Sequence, residues 1–251
     1  MESPLDVAKR ADITRPSVRA SVRDLVLENP GVARVFETLG IDYCCGGDQT
    51  LAQACRAASR STEEVNAALQ KLDSATPERD WRSSSLSELA QHIVDKHHVF
   101  TQAEITRIRD LIAKVASVHG KGHPELDDLR FIFEELSAEL KAHMAKEEEI
   151  LFPYIAEMEE AARFNRRPPA PMFGTVQNPV AAMIMEHQAA GQALGKMREI
   201  TKGYVVPPDS CASYQALYQA LPDFAADLHQ HIHLENNILF PRSVELESNF
   251  G

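Results

Sequence analysis

The chain has 251 residues, 44% hydrophobic, 25% charged and 6% aromatic, which suits one large globular domain or one domain with a small appendage. Its net charge of −11, with no long basic stripe, argues against nucleic-acid binding. No run of about 18 apolar residues is present and the first twenty residues hold no apolar signal core, so the expectation is a cytoplasmic protein without a membrane span.

Ala, Leu, Glu and Gln dominate and β-branched runs are sparse, which favours an all-α fold. Residues 1–20 read as irregular. SVRDLVLE, GVARVFETLG, TLAQACRAA and STEEVNAALQKL then read as short helices, separated at Asn29-Pro30 and Gly46-Gly47. Ser61 with Glu64 has the form of a capping box. The polar, proline-containing stretch 73–84 reads as a linker, with Trp81 expected to pack at the junction. The division is therefore a small helical N-terminal domain, residues 1–80, and a larger domain, 81–251.

Within the small domain, DYCCGG (42–47) places two of the chain's four cysteines side by side. The first histidine is His92, so only Cys44, Cys45 and Cys55 are soft ligands here, too few for a four-ligand zinc or iron–sulfur site. A reducing compartment opposes a disulfide. A turn ahead of a helix favours thiolate, whereas Asp42 and Asp48 oppose it, and residue order alone leaves the sign open.

In the larger domain, Ser85 and Glu88 form a second capping box that opens a long helix. Leu89, Ile93, Ile108, Leu111 and Val115 recur along it at helical spacing. After the VHGKGHPELDD loop a second helix carries Leu129, Phe133, Leu136 and Leu140. FNRRPPAPMFGTVQNP is a long loop expected to cross the bundle end or cover a site. Asn178 then caps a third helix with Pro179 at its first position. The fourth helix runs from about residue 212 past 235, with a kink expected at Pro222. Four amphipathic helices with three connections describe a four-helix bundle.

An internal repeat carries the chemistry. HMAKEEEILFP (143–153) and HIHLENNILFP (231–241) agree at six of eleven positions. A histidine precedes each copy, His98 by 45 residues and His187 by 44. The bundle thus reads as two duplicated hairpins, each bringing one histidine and one His/Glu pair. Residues i and i+4 share a helix face, so His143 with Glu147 and His231 with Glu235 can point inward together. A lone H-x-x-x-E pair is ordinarily a solvated surface pair. Two copies with matched upstream histidines, each running into an apolar Ile-Leu-Phe, call for a partner that neutralises buried carboxylates. Four histidines and two glutamates exceed one tetrahedral zinc. They suit two non-haem iron ions, with the glutamates bridging and the histidines terminal.

Both His97 and His98 lie near the apolar face, and the matched spacing favours His98 only weakly. His92 reads as core or as a group behind the ligands. His119 and His123, in a glycine-rich loop, read as solvated; His229 and His233 face away from His231. Glu139, one turn before His143, and Glu186, beside His187, are candidates to line an access path.

Together DYCCGG, DWRS and the two repeated motifs resemble the iron–sulfur cluster repair di-iron proteins, also called the repair-of-iron-centres family, of the hemerythrin-like superfamily. The resemblance covers residues 20 to 243. It implies a hemerythrin-like four-helix bundle with a small helical N-terminal domain. It also implies a carboxylate-bridged di-iron centre at His98, His143, Glu147, His187, His231 and Glu235. The DWRS anchor aligns His98 without a gap. Repair of clusters damaged by nitric oxide or oxidative stress is implied, with iron donation as the expected route and damaged iron–sulfur proteins as partners. The alternative is binding or reduction of nitric oxide, which would make the protein an enzyme; an oxygen-carrying or iron-sensing module is a third reading. Relatives suggest a homodimer. Cys44 and Cys45 are expected to exchange iron, nitric oxide or electrons with the centre or a partner.

Overall fold

The computed structural model describes residues 21–72 and 80–250. Residues 1–20, expected to be irregular, and most of the expected linker, 73–79, lie outside the described residues. The chain divides into two compact units between Asp80 and Trp81, and no strand occurs among the described residues.

The N-terminal unit holds α1 (Val22–Glu28), α2 (Gly31–Leu39), α3 (Leu51–Ala57) and α4 (Thr62–Leu69). Polar side chains start three of them: Ser21, Thr50 and Ser61 each accept a backbone N–H in the first turn. At Ser61 only half of the expected box forms, because the Glu64 carboxylate turns to Arg60 at 3.2 Å. The complete box is at Thr50 and Gln53. Val22 and Arg23 donate to the Gln49 and Gly47 carbonyls at 2.9 and 3.0 Å, which ties the cysteine loop to the start of α1. Phe36, Tyr43 and Leu51 fill the core of this unit.

In the C-terminal unit three of the four rods are composite. The first joins α5 (Leu86–His92), a π turn (Ile93–His98) and α6 (Val99–His119). The second joins α7 (Glu125–Lys146), a π turn (Glu147–Leu151) and α8 (Phe152–Arg163). The third is α9 alone (Gln177–Ile200). The fourth joins α10 (Ala212–Leu234), a π turn (Glu235–Leu239) and α11 (Phe240–Ser248). Side by side, α6 touches α7 and α10, and α9 touches the same two, which closes the bundle. Its core is an apolar column that includes the buried Ile105, Ile108, Ile112 and Val115 of α6 and the buried rings of Phe133 and Phe224. Those two rings meet edge to face with centroids 5.6 Å apart. Ile112 takes the buried place that the sequence pattern gave to Leu111, which is half-buried.

Helix starts in the bundle depart from the local signals. Ser85 and Glu88 do form their box. Asn178 does not cap α9, which begins two residues earlier than expected, at Gln177, with Val176 as its cap. Asn178 instead donates to the Phe173 carbonyl at 2.8 Å. The cap comes from far along the chain: Glu247 of α11 accepts from the Val176 amide at 2.9 Å and from the Thr175 hydroxyl. Glu159 of α8 serves α5 in the same way, accepting from the Leu86 and Ser87 amides at 2.7 and 3.0 Å. These glutamates stand 88 residues apart, the offset of the two H-x-x-x-E motifs, so the duplication extends to the caps. Arg242 completes the clamp on α5 by donating to the Trp81 and Ser84 carbonyls. Trp81 stacks on His92 at 4.1 Å, inside its own unit. α10 runs through Pro222 as one helix. The proline-rich segment before α9 sets Phe173 edge-on against Tyr154 of α8 at 5.1 Å.

Burial opposes ionisation of Glu159, but the Ser87 hydroxyl and the two amides outweigh it and hold its pKa below the usual carboxylate range. Glu159→Gln should therefore cost about 1 kcal/mol at neutral pH. The wild-type advantage is present above the unfolded carboxylate pKa and is lost as pH falls through the lower folded value. Urea midpoints of the two proteins should differ at pH 7 and converge in acid.

Candidate metal centre

The two repeats meet at the middle of the bundle. His143 is near the end of α7, and Glu147 opens the following π turn; His231 and Glu235 repeat this at the end of α10. His98 closes the first π turn, while His187 projects from the uninterrupted α9. A π turn widens the helix by one residue and re-aims its side chains, and such turns cluster at functional sites. The i, i+4 spacing puts each His/Glu pair on one helix face but carries no sign of this widening. All six side chains are buried, with Glu147 and Glu235 fully so.

Their atoms converge in two lobes. In one, His98 Nε2 lies 3.2 Å from His231 Nε2, 3.4 Å from Glu147 Oε2, and His231 Nε2 lies 2.9 Å from Glu235 Oε1. In the other, His143 Nε2 lies 3.1 Å from His187 Nε2 and 3.3 Å from Glu147 Oε1, and His187 Nε2 lies 3.1 Å from Glu235 Oε2. Each glutamate thus presents one oxygen to each lobe. In both lobes the four donor atoms lie within 4.8 Å of one another. Both Glu147 oxygens and Glu235 Oε2 are buried without a hydrogen bond. Such orphans cost about 1–3 kcal/mol each, or more when charged. Two cations, one per lobe, would satisfy every one of these donors, so the residues present fit a metal pair.

Electrostatics give the same picture. Burial lowers the imidazole pKa values, but on His143 the Glu147 and Glu235 carboxylates outweigh it and push the pKa up to about 9; His98 is raised in the same way. His231, fully enclosed, is lowered. Glu147 and Glu235 repel each other and are desolvated, yet the histidines hold both below the ordinary carboxylate range. Protons on histidine and metal ions are therefore alternative ways to balance the same two carboxylates.

Behind the ligands stands a ring that fixes imidazole orientation. His98 Nδ1 meets Glu148 at 2.7 Å, and His187 Nδ1 meets Asn236 at 2.8 Å. Glu148 and Asn236 directly follow the two ligand glutamates, one per repeat. They escaped the sequence reading, although a polar residue at the same place in both copies was a usable signal. Phe152 and Phe240, from the two ILFP segments, lie flat near His98 and His187 at 6.0 and 5.9 Å. Glu186 meets His143 Nδ1 at 2.8 Å and pairs with Lys146. It supports a ligand, and it is partly exposed. Glu139 is solvent-exposed on α7.

The halves differ at one point. His231 Nδ1 has no hydrogen bond. His97 occupies the place that Glu186 holds in the other half; its ring lies nearly parallel to that of His231 at 5.8 Å, and Asp227 anchors its Nδ1 at 3.0 Å. Of the histidines expected to face away, His233 is buried and bonded to Asn237 at 2.9 Å. His119 and His123, expected in solvent, are half-buried, and His123 is bonded to Glu125 and Asp209.

The cysteine pair is a separate cluster. Asp42 Oδ1 accepts from the Cys44 and Cys45 amides at 3.0 and 2.9 Å, and its Oδ2 from the Gly46 amide at 2.9 Å. None of the four cysteines forms a disulfide, and the Cys44 and Cys45 sulfurs are 3.7 Å apart. The hydrogen bond to Cys45, burial and Asp42 all raise the Cys44 pKa, which resolves the sign that residue order left open: Cys44 is a thiol. Removing the orienting groups of the histidine ring, by Glu148→Ala or Asn236→Ala, should weaken metal binding about 10–100-fold with the fold intact, measured by competition against a chelator.

Residues 89–243 match the hemerythrin HHE cation binding domain, and residues 18–73 match ScdA_N, a domain of unknown function. The chain is 34% identical over 221 residues to the iron–sulfur cluster repair protein YtfE of Escherichia coli O17:K52:H18 and of Shigella boydii serotype 4, covering 88% of this chain and 94% of each relative. It is 33% identical over 231 residues to YtfE of Pectobacterium atrosepticum, covering 90% and 97%. With both domains in the same order and near-complete coverage of these relatives, the chain belongs to the hemerythrin-like iron–sulfur cluster repair protein family.

Proposed function

We propose that the protein repairs iron–sulfur clusters damaged by nitric oxide or oxidants, using two non-haem irons at the bundle centre. The observation that carries this reading is that Glu147 and Glu235 each divide their two oxygens between the two histidine lobes. His98 and His231 would complete one iron, His143 and His187 the other. Bound there, the pair supplies redox-active iron with open coordination positions. The chain's own groups set how firmly it is held. Two carboxylates against two Fe(II) leave net positive charge, which favours release of iron to an acceptor. Glu148, Asn236 and Glu186 hold three of the imidazoles in one tautomer. The apolar column above and below excludes water from the carboxylates.

Binding or reduction of nitric oxide at the same centre is the second reading. Its support is the count of donors: two imidazoles and two shared carboxylate oxygens per iron leave room for a small ligand. We place the protein in the cytoplasm, a setting in which the adjacent Cys44 and Cys45 stay reduced. These thiols serve as an auxiliary relay on the N-terminal unit.

The deciding experiment is anaerobic. Iron-loaded protein is mixed with an enzyme whose cluster has been nitrosylated. Activity should return faster than with equimolar free Fe(II); equal recovery would sink the donor reading, and catalytic nitrous oxide formation would establish the reductase reading instead. Metal analysis should give two irons per chain. His231→Ala should lose most of that iron while circular dichroism retains the helix content, since the apolar column carries the fold. Cys44→Ala/Cys45→Ala should keep both irons and lose repair; full repair would reduce the pair to a turn.

A further inference from the structure

The two lobes share their carboxylates evenly but not the support behind their imidazoles. In the lobe of His143 and His187 both rings are held from behind, by Glu186 at His143 Nδ1 and by Asn236 at His187 Nδ1, each at 2.8 Å. In the other lobe Glu148 holds His98 Nδ1 at 2.7 Å, whereas His231 Nδ1 is buried with no hydrogen bond.

The duplication locates the missing support. Glu186 directly precedes the ligand His187, and His97 directly precedes the ligand His98. Each packs against the first histidine of an H-x-x-x-E motif, Glu186 against His143 and His97 against His231. Glu186 bonds to its histidine. His97 does not: the two rings are nearly parallel with centroids 5.8 Å apart, and neither His97 Nε2 nor His231 Nδ1 has a hydrogen bond. The pose of His97 is fixed elsewhere. Its ring is fully buried, and Asp227, one turn before His231, meets its Nδ1 at 3.0 Å. Asp227 stands 88 residues after Glu139, the offset of the repeat. The carboxylate at this place is exposed in one copy and turned to His97 in the other.

A hydrogen bond at the far nitrogen orients a ligand imidazole and makes it a stronger donor, and losing such a partner typically costs about 10–100-fold in metal affinity. One lobe has two of these partners and the other has one. We propose that the two irons are held unequally, and that the ion between His98 and His231 is the labile one, given up first. This deepens the donor reading above and rests on it, since it names which half of the shared centre delivers. The order has a consequence for the second ion. Once the first has left, Glu147 and Glu235 both serve the ion between His143 and His187, whose charge they then balance, so that ion is held more firmly. Each chain would deliver one iron readily and retain the other.

Release of iron, rather than repair activity, is the test. Protein carrying two Fe(II) per chain is mixed anaerobically with an excess of a chromogenic ferrous chelator. Two phases of one equivalent each are expected, the second slower by about 10-fold or more. Any pair sharing carboxylates can release in two steps, so variants assign the phases to lobes. Glu148→Ala removes the one support in the labile lobe; it should speed the first phase about 10-fold or more and leave the second unchanged. Asn236→Ala should speed the second phase to a similar extent and change the first little. His97→Phe combined with Asp227→Asn should leave both rates and the helix content unchanged, because His97 holds no ligand. Loading short of two irons would count against the metal pair itself. With two irons loaded, a single phase would overturn the inequality, as would the opposite assignment by Glu148→Ala and Asn236→Ala. So would a first phase that His97→Phe with Asp227→Asn speeds as much as Glu148→Ala does.

Discussion

The bundle is organised around two fully buried carboxylates, Glu147 and Glu235, that no hydrogen bond of the protein fully satisfies. A buried unpaired carboxylate is among the costliest groups a core can hold. Everything near it lowers that cost. Four imidazoles surround the pair, and orienting groups behind three of them keep a lone pair or a proton facing inward. The three π turns belong to the same solution, since each begins or ends on a ligand position. A widened turn sacrifices regular helical bonding to aim one side chain, which is tolerable only where something at the site compensates.

Duplication explains much of the arrangement and makes its exceptions informative. The ligand pairs, the residue after each glutamate, the phenylalanines of the two ILFP segments and the capping Glu159 and Glu247 all recur in register. Symmetry fails behind His231, where His97 and Asp227 stand in place of a carboxylate. His231 is also the imidazole whose pKa burial lowers while its counterparts His98 and His143 are raised. The two lobes are therefore chemically unequal although their donor atoms match.

At the centre, the two carboxylates are shared between the lobes and every donor is a nitrogen or an oxygen. The buried thiol Cys44 is not part of that ligand set: its Asp42-wrapped loop forms a compact turn in which proximity to Cys45 disfavours ionisation.

The all-α class and the six central side chains were legible because they follow from periodicity and repetition. An H-x-x-x-E motif copied at an 88-residue offset survives without knowledge of any contact. Ser85 capping was legible for the same reason, as a bond closed within four residues. Asn178 misled because the α9 start is satisfied from 71 residues away, by Glu247, and a long-range partner overrides a local preference. The fates of His119 and His123 were hidden too. Whether a loop histidine meets water or Asp209 depends on where a second turn, 86 residues on, is brought by packing. Sequence by itself thus determined which donors exist and which share a helix face, both set by local geometry. Tertiary structure alone decided how each carboxylate divides between two lobes, where the helices widen and which groups stand behind the ligands, because those depend on atoms that only packing brings together.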